Sequence, residues 1–230
     1  MDGILSIWND RDDQIAELYE SWYVREHVPE RLGIPGFLAA YRYQAVRGAP
    51  HFMTYYRLTS PRVLSSPEYL AKVAAPTELT RRIMAQFRHM TRTACTLAYR
   101  SDPGAMGGYV ASAYAEMPAA IDADRLLQHA LAVRHEPHVL SVQIWRAAPD
   151  SANPANRESR LRPGGDRTIE AAIVIDVMRE QDALHIEESA AVAIRRSLGT
   201  EASTLRSGVY RLLGAWHSPD SERLRAQDLR

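Results

Sequence analysis

The sequence predicts an α+β fold built from two consecutive ferredoxin-like (βαββαβ) units. Three observations support this prediction. The apolar patterns give the order strand, helix, strand, strand, helix, strand twice along the chain. Residues 102–108, between the two runs, are rich in glycine and proline, as in a linker. Of the 230 residues, 46% are hydrophobic, which is enough to bury a substantial core.

The first unit, residues 1–101, opens with a strand and a helix. Residues 4–8 form a short apolar run that is typical of a buried strand. Apolar side chains then recur at spacings of three and four residues, so that one helix face packs on a sheet; they are Ile15, Leu18, Tyr19 and Trp22. Because proline disfavours helix at the residue before it, Pro29 is expected to end this helix at Val28.

Two further strands, a helical region and a fourth strand complete the first unit. The strands are predicted at residues 37–45 and 51–58 from their aromatic and β-branched content. The helical region covers residues 62–87 and is interrupted at Pro76. The fourth strand covers residues 88–99, where polar and apolar side chains alternate.

The second unit, residues 107–218, repeats the order of elements without repeating the residues. Its strands are predicted at residues 109–114, 139–145, 169–177 and 209–216, and its helices at residues 122–133 and 181–198. The polar, proline-containing stretch 147–167 is expected to be a mobile surface excursion. The charged tail, residues 219–230, is expected to fray.

A ferredoxin-like sheet carries its helices on one face, so its other face must be buried in some other way. Two such sheets in one chain can pack face to face and form a barrel-like enclosure. A cavity between the sheets would be lined by strand side chains and by the ends of the first helices. We expect a ligand there.

Composition and charge exclude several classes of function. The chain has 28 basic and 28 acidic residues, so no global charge favours nucleic acid or an anionic membrane as a partner. Its single cysteine, Cys95, excludes an intrachain disulfide and a cysteine-based zinc site. The first residues are expected to form a strand rather than a signal peptide, and no apolar run has membrane-spanning length. The sequence therefore predicts a cytoplasmic protein.

The densest group of chemically capable side chains lies between Glu20 and Phe37. His27 is the first candidate for a catalytic residue, because the pKa of histidine lies near neutrality and suits general acid or base catalysis. The end of a helix would favour its charged form. The alternative is that His27 only caps the helix. Arg31, one turn later, is a candidate to hold a carboxylate, or Glu30 to orient the histidine.

Other candidates lie on the predicted strands. Arg88 and Arg92 could clamp a carboxylate with Arg31, although most arginines are solvated surface groups. Aromatic side chains could stack on a ring and offer hydroxyl groups, or could equally form the core; they are Trp22, Tyr41, Tyr43 and Tyr55. His51 and His89 begin strands, where side chains often reach the mouth of a cavity.

The sequence predicts no cofactor and no metal. Neutral imidazoles at His135 and His138 could bind a metal, but Pro137 disfavours their alignment on a helix and no third ligand is evident. There is no dinucleotide-binding fingerprint, no phosphate-binding loop and no serine nucleophile motif.

Residues 22–31, Trp-Tyr-Val-Arg-Glu-His-Val-Pro-Glu-Arg, followed by Ile-Pro-Gly-Phe at residues 34–37, resemble the first-helix signature of dimeric α+β-barrel proteins, particularly the EthD-like group. Ser60-Pro61 and Ser-Pro-Glu-Tyr-Leu at residues 66–70 are also similar to that group. The resemblance covers residues 1–100 and includes the histidine at position 27. It implies the α+β-barrel fold and an enzyme acting, often without a cofactor, on aromatic or polyketide-like compounds.

Residues and resemblance together lead to one leading hypothesis. The chain is a cofactor-independent enzyme acting on a small aromatic or phenolic carboxylic acid, with His27, Arg31 and Tyr55 as catalytic residues. A lyase that decarboxylates its substrate is favoured, since this needs proton delivery and a dry pocket. An isomerase, a cyclase and a cofactor-free monooxygenase remain open, as does a non-catalytic protein that binds small ligands. A homodimer is also left open.

Overall fold

The computed structural model describes residues 2–102, 105–117, 119–149, 157–198 and 204–219. Eight antiparallel strands form a closed barrel, and helices pack on its outer surface. The strands are β1 Gly3–Arg11, β2 Phe37–Gly48, β3 Phe52–Leu58, β4 Phe87–Arg100, β5 Tyr109–Glu116, β6 Val139–Ala147, β7 Ile169–Val177 and β8 Leu205–His217. The helices are α1 Ala16–Trp22, α2 Val28–Leu32, α3 Pro67–Ala74, α4 Glu78–Met84, α5 Ala123–Val133 and α6 Glu180–Ser197.

The strands follow one another around the barrel in the order β1-β3-β2-β8-β5-β7-β6-β4. Pairing of β4 with β1 closes the ring, and the two halves of the chain meet where β2 pairs with β8 and β4 pairs with β6. The order of strands and helices along the chain is the predicted one. Both β2 and β8 are longer than predicted. Gly48 of β2 pairs with Gly208 of β8 across this junction, and residues 205–207 of β8 pair with β5.

Alternation along each strand separates an inner core from two outer ones. Inward-facing side chains fill the barrel, including the rings of Trp8, Tyr41, Tyr43, Tyr55 and Trp145. Outward-facing side chains pack under the helices of each half of the chain. The described interior of the barrel is therefore largely occupied by protein side chains, and large rings are what a barrel of this strand number accommodates.

The first helix does not end before Pro29, and the prediction of its end was wrong. Residues Tyr23–His27 form a π-helical turn, in which the N–H of Val28 donates to the carbonyl of Tyr23, five residues earlier. The helix then continues as α2 through Pro29. The wider turn makes room for the proline ring, and proline in the first turn of α2 needs no N–H donor.

The polar stretch between β6 and β7 is only partly a surface excursion. Residues 150–156 lie outside the described part of the chain, as do residues 103–104 of the linker and residues 220–230 of the tail. Beyond residue 156, however, the side chains of Glu158 and Arg162 are buried against the first half of the chain. None of the described helices combines the length and the apolarity needed to cross a membrane.

A buried carboxyl group lies at one end of the barrel interior. Asp176 on β7 is 1% exposed. It accepts hydrogen bonds from Ser141 Oγ at 2.9 Å, from Gln143 Nε2 at 3.4 Å and from the backbone N–H of Gly107 at 3.4 Å. Burial nevertheless raises the pKa of Asp176 to about 6. Ionising this group therefore opposes folding at neutral pH.

The Asp176→Asn variant is expected to be more stable than the native protein at pH 8, by up to about 3 kcal/mol in the free energy of unfolding. The folded pKa of Asp176 lies above its unfolded value, so the native protein loses stability as the pH rises from about 4 through about 6. Urea unfolding at pH 8, 6 and 4.5 should show the difference shrinking as the pH falls. Asp124→Asn, on the exposed surface of α5, is the control, and an equal gap for Asp176→Asn at every pH would contradict the assignment.

Candidate functional site

A small cavity lies between the first helix and the outer face of the first-half sheet. Its free volume is about 20 Å³, which is room for roughly one water molecule. Apolar side chains of β1, α4 and β4 form part of its wall. Its polar lining consists of Tyr23, His27, Arg31, Tyr56, Tyr69, Arg92, Glu158 and Arg162.

The helix directs three side chains into this cavity at intervals of four residues: Tyr23, His27 and Arg31. Residues four apart share a helix face, and the π-helical turn lies within this interval. Trp22 supports His27 from behind, with its ring stacked on the imidazole at a centroid distance of 4.3 Å. Trp22 Nε1 donates to Thr80 Oγ1 at 2.9 Å, which fixes the indole.

His27 is a buried and neutral imidazole. His27 is 6% exposed, and its Nδ1 has no hydrogen-bond partner among the described residues. Burial lowers the pKa of His27 well below 6.5, and the charges of Arg31 and Arg162 lower it further. The expectation that the helix end would favour the charged form was wrong, since desolvation and neighbouring cations outweigh a helix dipole.

Arg31 is the buried cation closest in sequence to His27, and it is 2% exposed. Its Nη2 donates to both carboxylate oxygens of Glu158, each at 2.6 Å. Nη1 makes no hydrogen bond and lies 3.7 Å from Glu30 Oε2. Burial acts to lower the pKa of Arg31, but the charge and hydrogen bond of Glu158 together with Tyr69 and Glu30 outweigh it and the net shift is upward, so the guanidinium stays charged.

Two more buried guanidinium groups and a phenol complete the polar lining. Arg162 pairs with Asp166, with Nε 2.7 Å from Oδ1. Arg92 donates to the hydroxyl of Tyr69 at 2.8 Å. The hydroxyl of Tyr56 is buried without a hydrogen-bond partner among the described residues, and burial raises its pKa well above 10. Tyr56 is therefore a neutral hydrogen-bond donor.

Three unsatisfied polar groups thus belong to side chains that line one cavity: His27 Nδ1, Arg31 Nη1 and Tyr56 Oη. Buried polar groups in folded proteins are nearly always hydrogen-bonded, so these three groups are placed to bind a polar guest, which can be as small as one water molecule. Guanidinium and phenol groups donate, and a neutral imidazole can donate or accept. The arrangement suits an oxygen atom that carries negative charge.

The structure brings three of the predicted site residues together at this cavity: His27, Arg31 and Arg92. The side chains of Tyr41, Tyr43 and Tyr55 lie in the barrel interior instead, on the opposite face of the sheet. The ring of Tyr55 contacts those of Tyr41 and Trp145, at centroid distances of 4.8 and 4.9 Å. Trp22 contacts His27 but does not line the cavity.

The remaining predicted residues meet around Asp10, outside the cavity. His89 Nδ1 lies 2.7 Å from Asp10 Oδ2, and the backbone N–H of His51 donates to Oδ1 of the same carboxylate. The side chain of His89 is 68% exposed and that of Arg88 is 41% exposed. These residues lie at a surface, away from the His27 imidazole.

Sequence analysis missed several cavity residues, among them Tyr56, Glu158 and Arg162. Alternation could have identified Tyr56, because it lies on the same face of β3 as Phe52, and both pack under the helices. No local pattern identifies Glu158, because its partner Arg31 is 127 residues away in the chain. The polar sequence around it is typical of a solvated loop.

Within the described ranges, no three histidine, cysteine or acidic side chains lie close enough together to hold a metal ion. His135 and His138 lie in the exposed turn before β6. His138 Nδ1 is 3.5 Å from Arg179 Nη2, and His135 Nε2 accepts from Arg134 Nε at 3.2 Å. Both imidazoles face cationic neighbours rather than further ligands.

The chain matches no protein-family profile and no curated protein sequence, but solved structures resemble it. An anthrone oxidase-like protein is 11% identical with a TM-score of 0.62, covering 96% of this chain and 94% of its own. A candidate monooxygenase from Fusobacterium nucleatum subsp. nucleatum is 10% identical with a TM-score of 0.51, covering 94% of each chain. A candidate chlorite dismutase is 10% identical with a TM-score of 0.50, covering 93% of this chain and 95% of its own.

At these identities the likeness concerns the fold alone. The similar structures are α+β-barrel proteins, and they match the chain over nearly its whole length. The predicted α+β-barrel fold is therefore confirmed. The class that fold and site define is an α+β-barrel protein with a buried, cationic cavity on the outer face of its first-half sheet.

The His27→Gln variant is expected to lose less stability than the native protein when the pH falls from 8 to 5. In the native protein the folded pKa of His27 lies below its unfolded value, so below about pH 6.5 the unfolded chain binds a proton that the folded protein does not bind. This proton lowers the free energy of the unfolded state and so reduces the stability of the native protein. Chemical unfolding at several pH values measures this difference. The exposed His135→Gln variant is the control and should follow the native pH dependence. Parallel curves for His27→Gln and the native protein would contradict a depressed pKa.

Proposed function

We propose that the chain is an enzyme that acts on a small aromatic acid and that the cavity around His27 is its active site. The observation that carries this proposal is the convergence of three unsatisfied polar groups, on His27, Arg31 and Tyr56, at one buried cavity. The similarity of the fold to an anthrone oxidase-like protein and to a candidate monooxygenase is compatible with it.

His27 would move a proton, and Arg31 would hold the substrate anion. A strongly depressed pKa makes an imidazole a weak base, because basicity falls with pKa. A bound anion would reverse part of this effect, since a nearby negative charge favours the protonated imidazole. Binding of the anionic substrate would thereby raise the basicity of His27. Tyr56 takes the role of hydroxyl donor that the sequence suggested for Tyr55.

The cationic lining favours some reactions over others. Loss of carbon dioxide is helped by a dry pocket around the carboxylate, whereas a guanidinium stabilises the carboxylate in place. Proton abstraction that leaves an enolate or phenolate is helped by the same guanidinium, because it stabilises the developing charge. We therefore place isomerisation, cyclisation and cofactor-free oxygenation ahead of decarboxylation, which the sequence favoured.

A non-catalytic protein that binds small ligands is the second candidate. The depressed pKa of His27 is the observation that favours it, because a weakly basic imidazole can still donate or accept a hydrogen bond. Both candidates share the same cavity and the same ligand chemistry. They differ only in whether His27 changes its protonation state during turnover.

Each half of the chain is inferred to be a ferredoxin-like unit, with residues 1–101 and 107–218 as the two domains. In support, the strands of each half follow one another in the spatial order fourth, first, third, second. Membership of the EthD-like group, a homodimer and a cytoplasmic location stay predictions. The closed barrel already buries in one chain the sheet faces that two separate units would have to cover.

The proposed reaction class is tested by offering the protein phenolic acids, a hydroquinone and an anthrone in deuterated buffer. Deuterium incorporation, oxygen uptake and carbon dioxide release are measured together. We expect turnover with at least one of these compounds, and a fall in kcat of about 100-fold or more in His27→Gln, the typical contribution of general acid–base catalysis. Affinity for the same compound should change by less than about tenfold, since Arg31 carries most of the binding.

The control variant is His129→Gln, which changes a half-buried histidine of α5, far from the cavity. It should keep native turnover. Equal turnover in His27→Gln and the native protein would remove the imidazole from the mechanism. No turnover with any compound, together with a melting temperature raised by aromatic acids, would favour the binding protein.

A further inference from the structure

Glu158 is a buried carboxylate that the proposed reaction does not use. It is 5% exposed and lies on the segment that covers the cavity. Within the described chain, both of its side-chain hydrogen bonds go to Arg31. We propose that Glu158 occupies the place of the ligand's carboxylate and thereby selects acids over uncharged analogues, an inference that rests on the proposed function of this cavity.

The Arg31–Glu158 pair does not satisfy all the hydrogen-bond donors of Arg31. Both oxygens of Glu158 bond to the same nitrogen, Nη2, at 2.6 Å, whereas Nη1 makes no hydrogen bond. A carboxylate that approaches a guanidinium side by side bonds to two different nitrogens and forms the stronger, bidentate pair. An incoming carboxylate can therefore make a better contact with Arg31 than Glu158 makes.

The size of the cavity requires something to leave before a ring can enter. About 20 Å³ of free volume holds roughly one water molecule, and a benzoate is several times larger. Glu158 lines this cavity, so withdrawal of its side chain enlarges the space next to the guanidinium of Arg31 and makes that guanidinium accessible to a ligand. Ligand entry and exposure of the guanidinium are thus one event.

Charge balance explains why an acid would be selected. Arg31 is buried, and removing its hydrogen-bonded carboxylate partner without replacement would leave its charge largely uncompensated, which is strongly unfavourable. A ligand carboxylate replaces the negative charge that Glu158 takes away, so the exchange conserves the buried ion pair. An amide or ester of the same shape carries no negative charge to replace that of Glu158, so it displaces Glu158 from Arg31 less readily.

The neighbouring acids do not share this position. Glu30 lies 3.7 Å from Arg31 Nη1 but also 3.9 Å from Lys72 Nζ, and it does not line the cavity. Asp166 bonds to Arg162, four residues away. Glu158 alone, among the acidic side chains of the described chain that line the cavity, bonds to Arg31.

The test compares benzoate with benzamide in the Glu158→Gln variant, using titration calorimetry. Glutamine keeps the size of the side chain but removes the competing charge, so benzoate should bind about tenfold more tightly than to the native protein, the gain expected when a charge-assisted hydrogen bond becomes a neutral one. The affinity for benzamide should rise by a similar factor, because displacing a neutral glutamine no longer removes a charge from Arg31, but benzoate should stay the tighter ligand in both proteins. Glu30→Gln is the matched control, and its benzoate affinity should stay within about twofold of native.

A gain for benzoate without any gain for benzamide would overturn the proposal, because it would indicate that Glu158 stays beside Arg31 and only repels a bound acid. An unchanged benzoate affinity, or no benzoate binding to either protein, would also overturn it. If Glu158→Gln does not fold, Glu158→Asp serves instead, since its shorter side chain retracts the carboxylate and should favour benzoate in the same direction. The readout is binding without turnover, so a protein that shows the effect but catalyses nothing would refute only the enzymatic proposal.

Discussion

Closure of the barrel makes a strand that a helix covers serve two cores at once. In β3, for example, Tyr55 projects into the barrel, whereas its neighbour Tyr56 projects under the helices, and both are buried. An open sheet could leave its inner face to solvent, but a closed ring of eight strands cannot, whereas the outer face stays exposed in places, as at Arg211, Leu213 and Ala215 of β8. The inner face is filled by its own aromatic rings, and a cavity therefore forms only where the outer face, the first helix and the segment around Glu158 meet imperfectly.

The charge of the cavity follows from this position. Three arginines lie within a layer that water does not reach, and two acids from the distant segment around residues 158–166 balance two of them. In such surroundings a histidine cannot take up a proton easily, and it stays neutral at the pH where an exposed histidine begins to be charged. The cationic side chains thus decide both the state of the imidazole and the sign of any guest.

Local patterns in the sequence predicted the strands, the helices and their order, because each depends on residues close together in the chain. They also identified His27 and Arg31, which share one helix face. What they missed depends on distant contacts. The choice between Tyr55 and Tyr56 needs the direction in which the sheet closes, and the burial of Glu158 depends on an arginine 127 residues earlier. The helix passed Pro29 because a π-helical turn, which propensity does not predict, precedes it.

The π-helical turn at Tyr23–His27 determines which way the side chains after it point from the helix. A π-helical turn contains one more residue than a regular helix allows, and each residue rotates a helix by about 100°. Deleting a single residue between Tyr23 and His27 would restore a regular spiral while swinging the guanidinium of Arg31 away from its acidic companion. The additional residue in the π-helical turn therefore sets the angular position of Arg31 about the helix axis, and with it the geometry of the polar groups that line the cavity.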